Sequence, residues 1–451
     1  MADPHIQIDQ PPLVPAQTPL LPPTQNNIQH HLNHRRSTNQ ETDVDKFLGG
    51  LEAFLTILGF NQFSVLSFVI SWTAFILIGV VVPVLILELS KCGGDCNQYQ
   101  IKDFELEIVA SQACLAAVSL GCVSHNLSKY GLRKLLFVDR CNVHTMARFS
   151  LLYIRQLKDS LGLLVFWALT CCVLKVVREV IRVLYEQQES WWLSAAILFG
   201  LVLSWSYVTT ISLSASILFH LVCNLQVIHF DDYARLLERD NDVLVFIEEH
   251  IHLRYHLSKI SHRFRIFLLL ELFVVIASQV VTLFQTTGYD GIITLINGGD
   301  FVVSSVVQVV GVILCLHAAT KISHRAQGIA SVASRWHALA TCGSIDTSQL
   351  RVSNSLGNLE AANGPNLLHT TYSESDLESM DYIAMPTNSQ LVSYMATYQK
   401  RQAFVMYLQN NPGGITIFGW IVDRSLVNTI FFIELTLVTF VLGKTLVLGS
   451  D

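Results

Sequence analysis

Seven stretches of this chain read as helices that cross a lipid bilayer, and that pattern limits the fold more than any other feature. A crossing takes about 20 apolar residues in a helix. Phe63–Leu89, Leu106–Leu127, Trp191–Leu221, Phe267–Phe284 and Phe301–Ala319 meet or approach that length. Leu161–Leu174 alone is too short. It becomes a span when the helix starts near Leu157 and runs on through Lys175, Arg178, Glu179 and Arg182. Ile415–Leu448 is the last, interrupted by Asp423, Arg424, Glu434 and Lys444. Only 14% of residues are charged, against about 25% in a soluble domain. Lipid offers the backbone no hydrogen bonds, so each span must satisfy its own. The expectation is an all-α integral membrane protein, a seven-transmembrane helix bundle with spans near 63–89, 106–127, 157–184, 191–221, 267–284, 301–319 and 415–448.

The segments between are unequal. Residues 1–43 hold seven of the eleven prolines, with many Gln, Asn and His, and read as a disordered tail. No secretory signal is read there, because the first apolar segment starts only after about 60 residues. Residues 45–60 repeat Leu48, Leu51, Leu55 and Leu58 at helical spacing, an amphipathic helix lying on the membrane or packed on the bundle. Residues 128–160 and 231–266 are polar but keep helical periodicity, so they read as helices projecting beyond the membrane. Residues 343–390 are rich in Ser, Asn, Thr and Gly and read as a disordered insertion. A helix outside the membrane and the last span complete residues 391–451.

Orientation follows from the basic residues. With the N-terminus in the cytosol, 22 of the 29 Lys and Arg fall in cytosolic segments and 6 in outer ones. The C-terminus is then extracellular or lumenal, and every long polar loop is cytosolic. A G-protein-coupled receptor has the opposite orientation. A secondary transporter is expected to show related halves, and none are visible.

The stretch Gly413-Gly414-Ile415-Thr416-Ile417-Phe418-Gly419-Trp420-Ile421-Val422-Asp423-Arg424, followed by a final helix containing Thr439-Phe440, resembles the insect odorant and gustatory receptors and, more closely, their plant gustatory-receptor-like relatives. The resemblance covers residues from about 45 to 451, apart from the 343–390 insertion. The insect pattern continues with five apolar residues and Gln-Phe. Here Gly443, Lys444 and Thr445 interrupt the run, and Leu446-Val447 replace Gln-Phe. The resemblance implies a homotetramer around a pore lined by the last helix, held together by cytosolic helix extensions. It also implies a small-molecule pocket in the outer half of each bundle.

Several residues are candidates for these roles. For the pore or gate they are Thr436, Thr439, Gly443 and Val447, which share a helix face, and Glu434. Intramembrane acids are costly and mark function. Glu434 either lines a pore or pairs with another helix of its own subunit. For the ligand pocket the candidates are Gln112, Lys175, Arg178, Trp205, Tyr207, Ser304 and Gln308, a few polar groups among aromatics at comparable depth. Lys175 and Glu179, four apart, can pair on one face. This basic segment either reaches the lipid headgroups or lines an outward-opening cavity. Cys92 and Cys96 can bond if their loop faces an oxidising compartment. Their Cys-x3-Cys spacing lacks two further ligands for a zinc site. The histidines His30, His31 and His34 read as a solvated tail, and the Glu249/His252/His256 row as a charged, solvated or intersubunit surface, rather than as metal ligands. No nucleotide loop, catalytic triad or hydrolytic carboxylate pair is present, so no enzyme, cofactor or nucleic-acid partner is expected. The leading expectation is a ligand-responsive cation channel subunit in the plasma membrane. The alternatives are a non-conducting receptor or scaffold of the same fold and, third, a transporter.

Overall fold

The structure, a computed structural model, describes residues 44–89, 102–137, 143–185, 191–237, 243–288, 295–353 and 388–447. The 1–43 tail, the Cys92/Cys96 loop and residues 354–387 lie outside the described residues. The elements are α1 (44–57), α2 (Val65–Phe75), a π-helical segment (Ile76–Val81), α3 (Val82–Leu89), α4 (Lys102–Leu135), α5 (Val143–Tyr185), α6 (Trp191–Leu237), α7 (Val243–Gly288), α8 (Leu295–Ser353), α9 (Asn388–Asn410), strands β1 (Thr416–Ile417) and β2 (Trp420–Ile421), and α10 (Arg424–Val447). Six described helices are long and apolar enough to cross a membrane: Val65–Glu88, Glu105–Leu135, Leu151–Leu184, Ser194–Leu237, Val243–Phe284 and Gly299–Thr341. The side chains of α10 beyond Phe440, apart from Gly443, lie outside the described residues, and α10 is not counted among the six.

Helix α6 is the axis of the bundle, buried along most of its length and packed most heavily on α8 and α5. Its small residues Ser204, Ser212, Ala215 and Ser216 let neighbours approach closely, which is how helices associate without a hydrophobic drive between them. The outward faces of the other helices carry Val65, Phe166 and Phe273, and the start of α6 carries Phe199, all exposed. An apolar surface of this kind suits lipid and not water. Helix α1 and the turn after it pack on the bundle, with Leu48, Leu51, Leu55 and Leu58 buried in the main core.

The first span is broken at a point the chemistry dictates. Pro83 has no N–H, and its ring crowds the carbonyl four residues back, at Gly79. The backbone relaxes into the π-helical turn, with the Val82 N–H reaching Leu77 O. The carbonyl of Ile78 accepts from Ser204 Oγ of α6 at 2.6 Å, so the irregular turn stays satisfied inside protein. Gly79 allows a close approach here, because a Cβ would stand 3.0 Å from Val208 Cγ2, which would have to give way.

Two boundaries differ from the sequence expectation. Residues 415–423 do not begin the last helix. They form a hairpin, Thr416 opposite Ile421 and Ile417 opposite Trp420, and α10 starts at Arg424. The turn residues Phe418 (φ 48°) and Gly419 (φ 91°) both have positive φ, as a two-residue hairpin turn demands. The Ile415 and Thr416 N–H groups donate to Ser323 Oγ and Ser261 Oγ, pinning the hairpin to α8 and α7. The second boundary is the insertion: helix α8 runs on to Ser353 and α9 begins at Asn388, so the two helices take in both edges of residues 343–390.

Candidate functional site

Near the ends of α4, α5 and α8 opposite the hairpin, six charged side chains meet with little exposure. Helix α5 supplies Lys175, Arg178, Glu179 and Arg182 at successive turns of one face. Glu105 comes from the start of α4 and Asp300 from the start of α8. Lys175 pairs with Asp300 and, at 2.9 Å, with Glu179. Arg178 reaches Glu179 and Glu105, both at 2.6 Å, and Arg182 reaches Glu105 at 3.3 Å. The set holds three cations and three anions. Each charge has at least one opposite partner, the condition under which buried charge is tolerated. The cluster ties three helices together.

Beside this cluster is a small cavity of about 30 Å³, between the π-helical turn, α4, α5, α6 and α8. Its walls include Gly79, Pro83, Gln112, Lys175, Trp205 and Asp300. The volume admits a water or two, far below the several hundred Å³ of a drug-sized ligand site. A ligand of that size enters only if a wall moves. The π-helical turn is the irregular wall, a type of element that recurs at functional sites. Trp205 Nε1–H is buried and has no acceptor among the described residues, so one donor in the cavity wall is uncommitted.

Of the seven pocket candidates, Gln112, Lys175 and Trp205 line this cavity. Ser304 accepts from Gln112 Nε2 at 2.9 Å, and Arg178 sits in the charged cluster. Gln308 lies deeper, 3.3 Å from Ser111 Oγ and 3.4 Å from Ser278 Oγ. Tyr207 is on another flank of α6, packed against the main core and not among the lining residues. Sequence reasoning missed Asp300 and Glu105. Each directly precedes an apolar run, and an acid at an apolar boundary was the available signal.

On α10, Glu434 is 2% exposed and faces its own bundle, with no hydrogen-bond partner for either carboxylate oxygen among the described residues. The opposite side differs. At 3.6 residues per turn, Ser425, Asn428, Thr429, Thr436, Thr439 and Gly443 fall within an arc of about 100°, and all are exposed. Phe432 is the apolar exception within that arc. The Val447 side chain lies outside the described residues. No group of three or more His, Cys, Asp or Glu able to hold a metal occurs among the described residues. His256 is instead buried against Phe137, while Glu249 and His252 are exposed.

The fold and site define a multi-pass helical membrane protein. A family model described as "Protein of unknown function (DUF3537)" matches residues 46–433, and the chain belongs to that family. No curated protein sequence matches it. Among solved structures it is similar to the insect olfactory receptor OR5 from Machilis hrabei, at 13% identity and a TM-score of 0.48, over 89% of this chain and 98% of that one. It is likewise similar to the same receptor in complex with eugenol, at 14% identity and a TM-score of 0.48, over 89% and 99% of the two chains.

Proposed function

We propose that this chain is one subunit of a ligand-responsive cation channel of the gustatory-receptor-like class. Four copies place α10 around a central axis, and a small molecule acts at the cavity beside the Lys175–Asp300 pair. The observation that carries this reading is the hydroxyl- and amide-bearing arc of α10, turned away from its own subunit. Polar groups facing lipid are costly, whereas around an axis they face water. No Lys or Arg interrupts the helix between Asn428 and Gly443. The lining is then oxygen-rich, which favours cations, and Glu434 stands behind the wall rather than in it. Val447, in the last turn, forms the apolar constriction. Cross-linking tests the arrangement. Thr439→Cys should yield oxidant-dependent covalent dimers in native membranes, while a cysteine at Phe199, on the lipid side of α6, should not. Equal cross-linking at both positions would contradict it.

The cytosolic N-terminus belongs to the same proposal and rests on the distribution of Lys and Arg. An acceptor sequon introduced within residues 354–387 should stay unglycosylated, and one within 90–101 should be glycosylated. The native Asn126-Leu127-Ser128 sequon is uninformative, because Asn126 is buried and donates to Arg263 O at 2.8 Å. A second reading, a non-conducting receptor of the same fold, has one observation in its favour. Thr429 and Thr436 donate to the carbonyls of Ser425 and Phe432 on their own helix, which lowers the cost of leaving them in lipid.

A further inference from the structure

We propose that each bundle carries its own proton path, a file of polar side chains between α6, α7 and α8, with Glu271 as the group that takes up and releases the proton. This goes beyond the channel reading and does not depend on it, since the file lies inside one subunit, away from α10's exposed arc.

Glu271 lies within the fifth apolar span and is 4% exposed. It forms no ion pair among the described residues. Its facing groups are Ser216 of α6, which donates to Oε1 at 2.9 Å, and Gly311 and Cys315 of α8. Glu434 of α10, also buried, makes no hydrogen bond to it. Gly311 makes the space, because a Cβ there would stand 3.2 Å from Oε1 and 3.4 Å from Ser216 Oγ. An ionisable group so placed in a membrane marks a pathway unless it is paired.

Polar groups continue from Glu271 in both directions at steps of one helical turn, about 5.4 Å. Toward the charged cluster, Gln308 is one turn along α8 and bridges Ser111 and Ser278. Ser304 with Gln112 follows, and then Asp300 with Lys175. Toward the hairpin end, Ser216, His220 and Asn224 form one row of α6. Asn224 contacts the His220 ring at 3.1 Å and accepts from Lys321 at 2.9 Å. His220 is half-buried and Lys321 is exposed, so this end opens to solvent. From Asp300 to Lys321 is 21 residues of α8, about 30 Å, the thickness of a bilayer core.

A second observation points to water in the file. Gln279, two turns along α7 from Glu271, is fully buried, and neither amide atom has a partner among the described residues. The Ser305 hydroxyl, beside Ser304, is in the same position. Buried polar groups without protein partners are where proteins hold internal water. A proton arriving from the solvent at the charged-cluster end is carried by a water near Gln308, which hands it to the Glu271 carboxylate and is left neutral. The resulting acid passes a proton, past Ser216, to a nitrogen of the His220 ring, and the imidazolium releases it to solvent near Lys321. The carboxylate and the neutral ring are regenerated, and no other reactant is consumed.

The test uses the full chain reconstituted in liposomes loaded with a pH-sensitive dye, with a potassium diffusion potential as the driving force. Wild type should carry protons at least tenfold faster than protein-free liposomes. Glu271→Gln should fall to the protein-free rate, and Phe199→Leu, on the lipid side of α6, should match wild type. Wild-type flux equal to protein-free liposomes overturns the proposal, and so does full flux through Glu271→Gln. If Glu271→Gln does not fold, as judged by its melting in detergent, Gly311→Ala takes its place. That methyl group crowds the carboxylate and should cut the flux. Unchanged flux in Gly311→Ala would show that the file is only hydrogen-bonding between helices.

Discussion

Asp300→Asn should be among the most destabilising single changes in the molecule, at about 3–5 kcal/mol. The carboxylate is buried against Lys175 within a set of three cations and three anions. Among the described residues of the cluster, removing one anion leaves Glu179 and Glu105 to face Lys175, Arg178 and Arg182. The uncompensated charge stays buried, which costs more than the pair contributes. The melting temperature in detergent should fall by several degrees. Asp300→Leu combined with Lys175→Met removes both members of the pair and should recover most of the loss. If the single variant melts like wild type, the cluster is hydrated and does not latch α4, α5 and α8. The cavity beside it would then not depend on the cluster for its shape.

Gly443→Val should abolish conduction and leave the subunit intact. Among the described residues nothing lies within 4 Å of a Cβ at Gly443, and the residue is exposed on the polar arc of α10. Valine is also a slightly better helix former than glycine, so melting should be unchanged or marginally raised. Around a four-fold axis the same substitution adds four isopropyl groups to the narrow part of the lining. Gly79→Val is the contrasting change. Its side chain meets Val208 and Phe75 at once, so its primary effect should be on folding. If Gly443→Val conducts like wild type, the arc does not line the pore.

The helix bundle was legible because apolar length is a coarse signal that few other folds produce. The leucines of residues 45–60 carried α1 in the same way, since all four turn to one side. Lys175 and Glu179 could be paired from spacing alone. Gln112, Lys175 and Trp205 could be grouped by depth, and they do line one cavity. Their real partners were out of reach. Glu105 and Asp300 come from other helices, and in the sequence each looks like an ordinary charge at a membrane boundary. Glu271 was passed over inside a long apolar run. Its meaning depends on Gly311 and Ser216, which only tertiary packing brings to it. The hairpin was hidden because Ile415, Ile417, Trp420 and Val422 continue the hydropathy of α10. The Phe418-Gly419 turn was the one local sign of it. A proline inside a span signals a break, and the break before Pro83 is a π-helical turn whose Ile78 carbonyl is satisfied by Ser204 from α6.

The central claim, that copies of α10 enclose a cation path, is tested most directly by recording from the purified full-length protein in a planar lipid bilayer. Discrete unitary currents are expected, with a reversal potential that follows the cation gradient, present in wild type and absent in Gly443→Val. A silent bilayer would contradict the claim if the protein is shown to be folded and inserted and a control channel conducts in the same lipid. The non-conducting receptor would then be the better account.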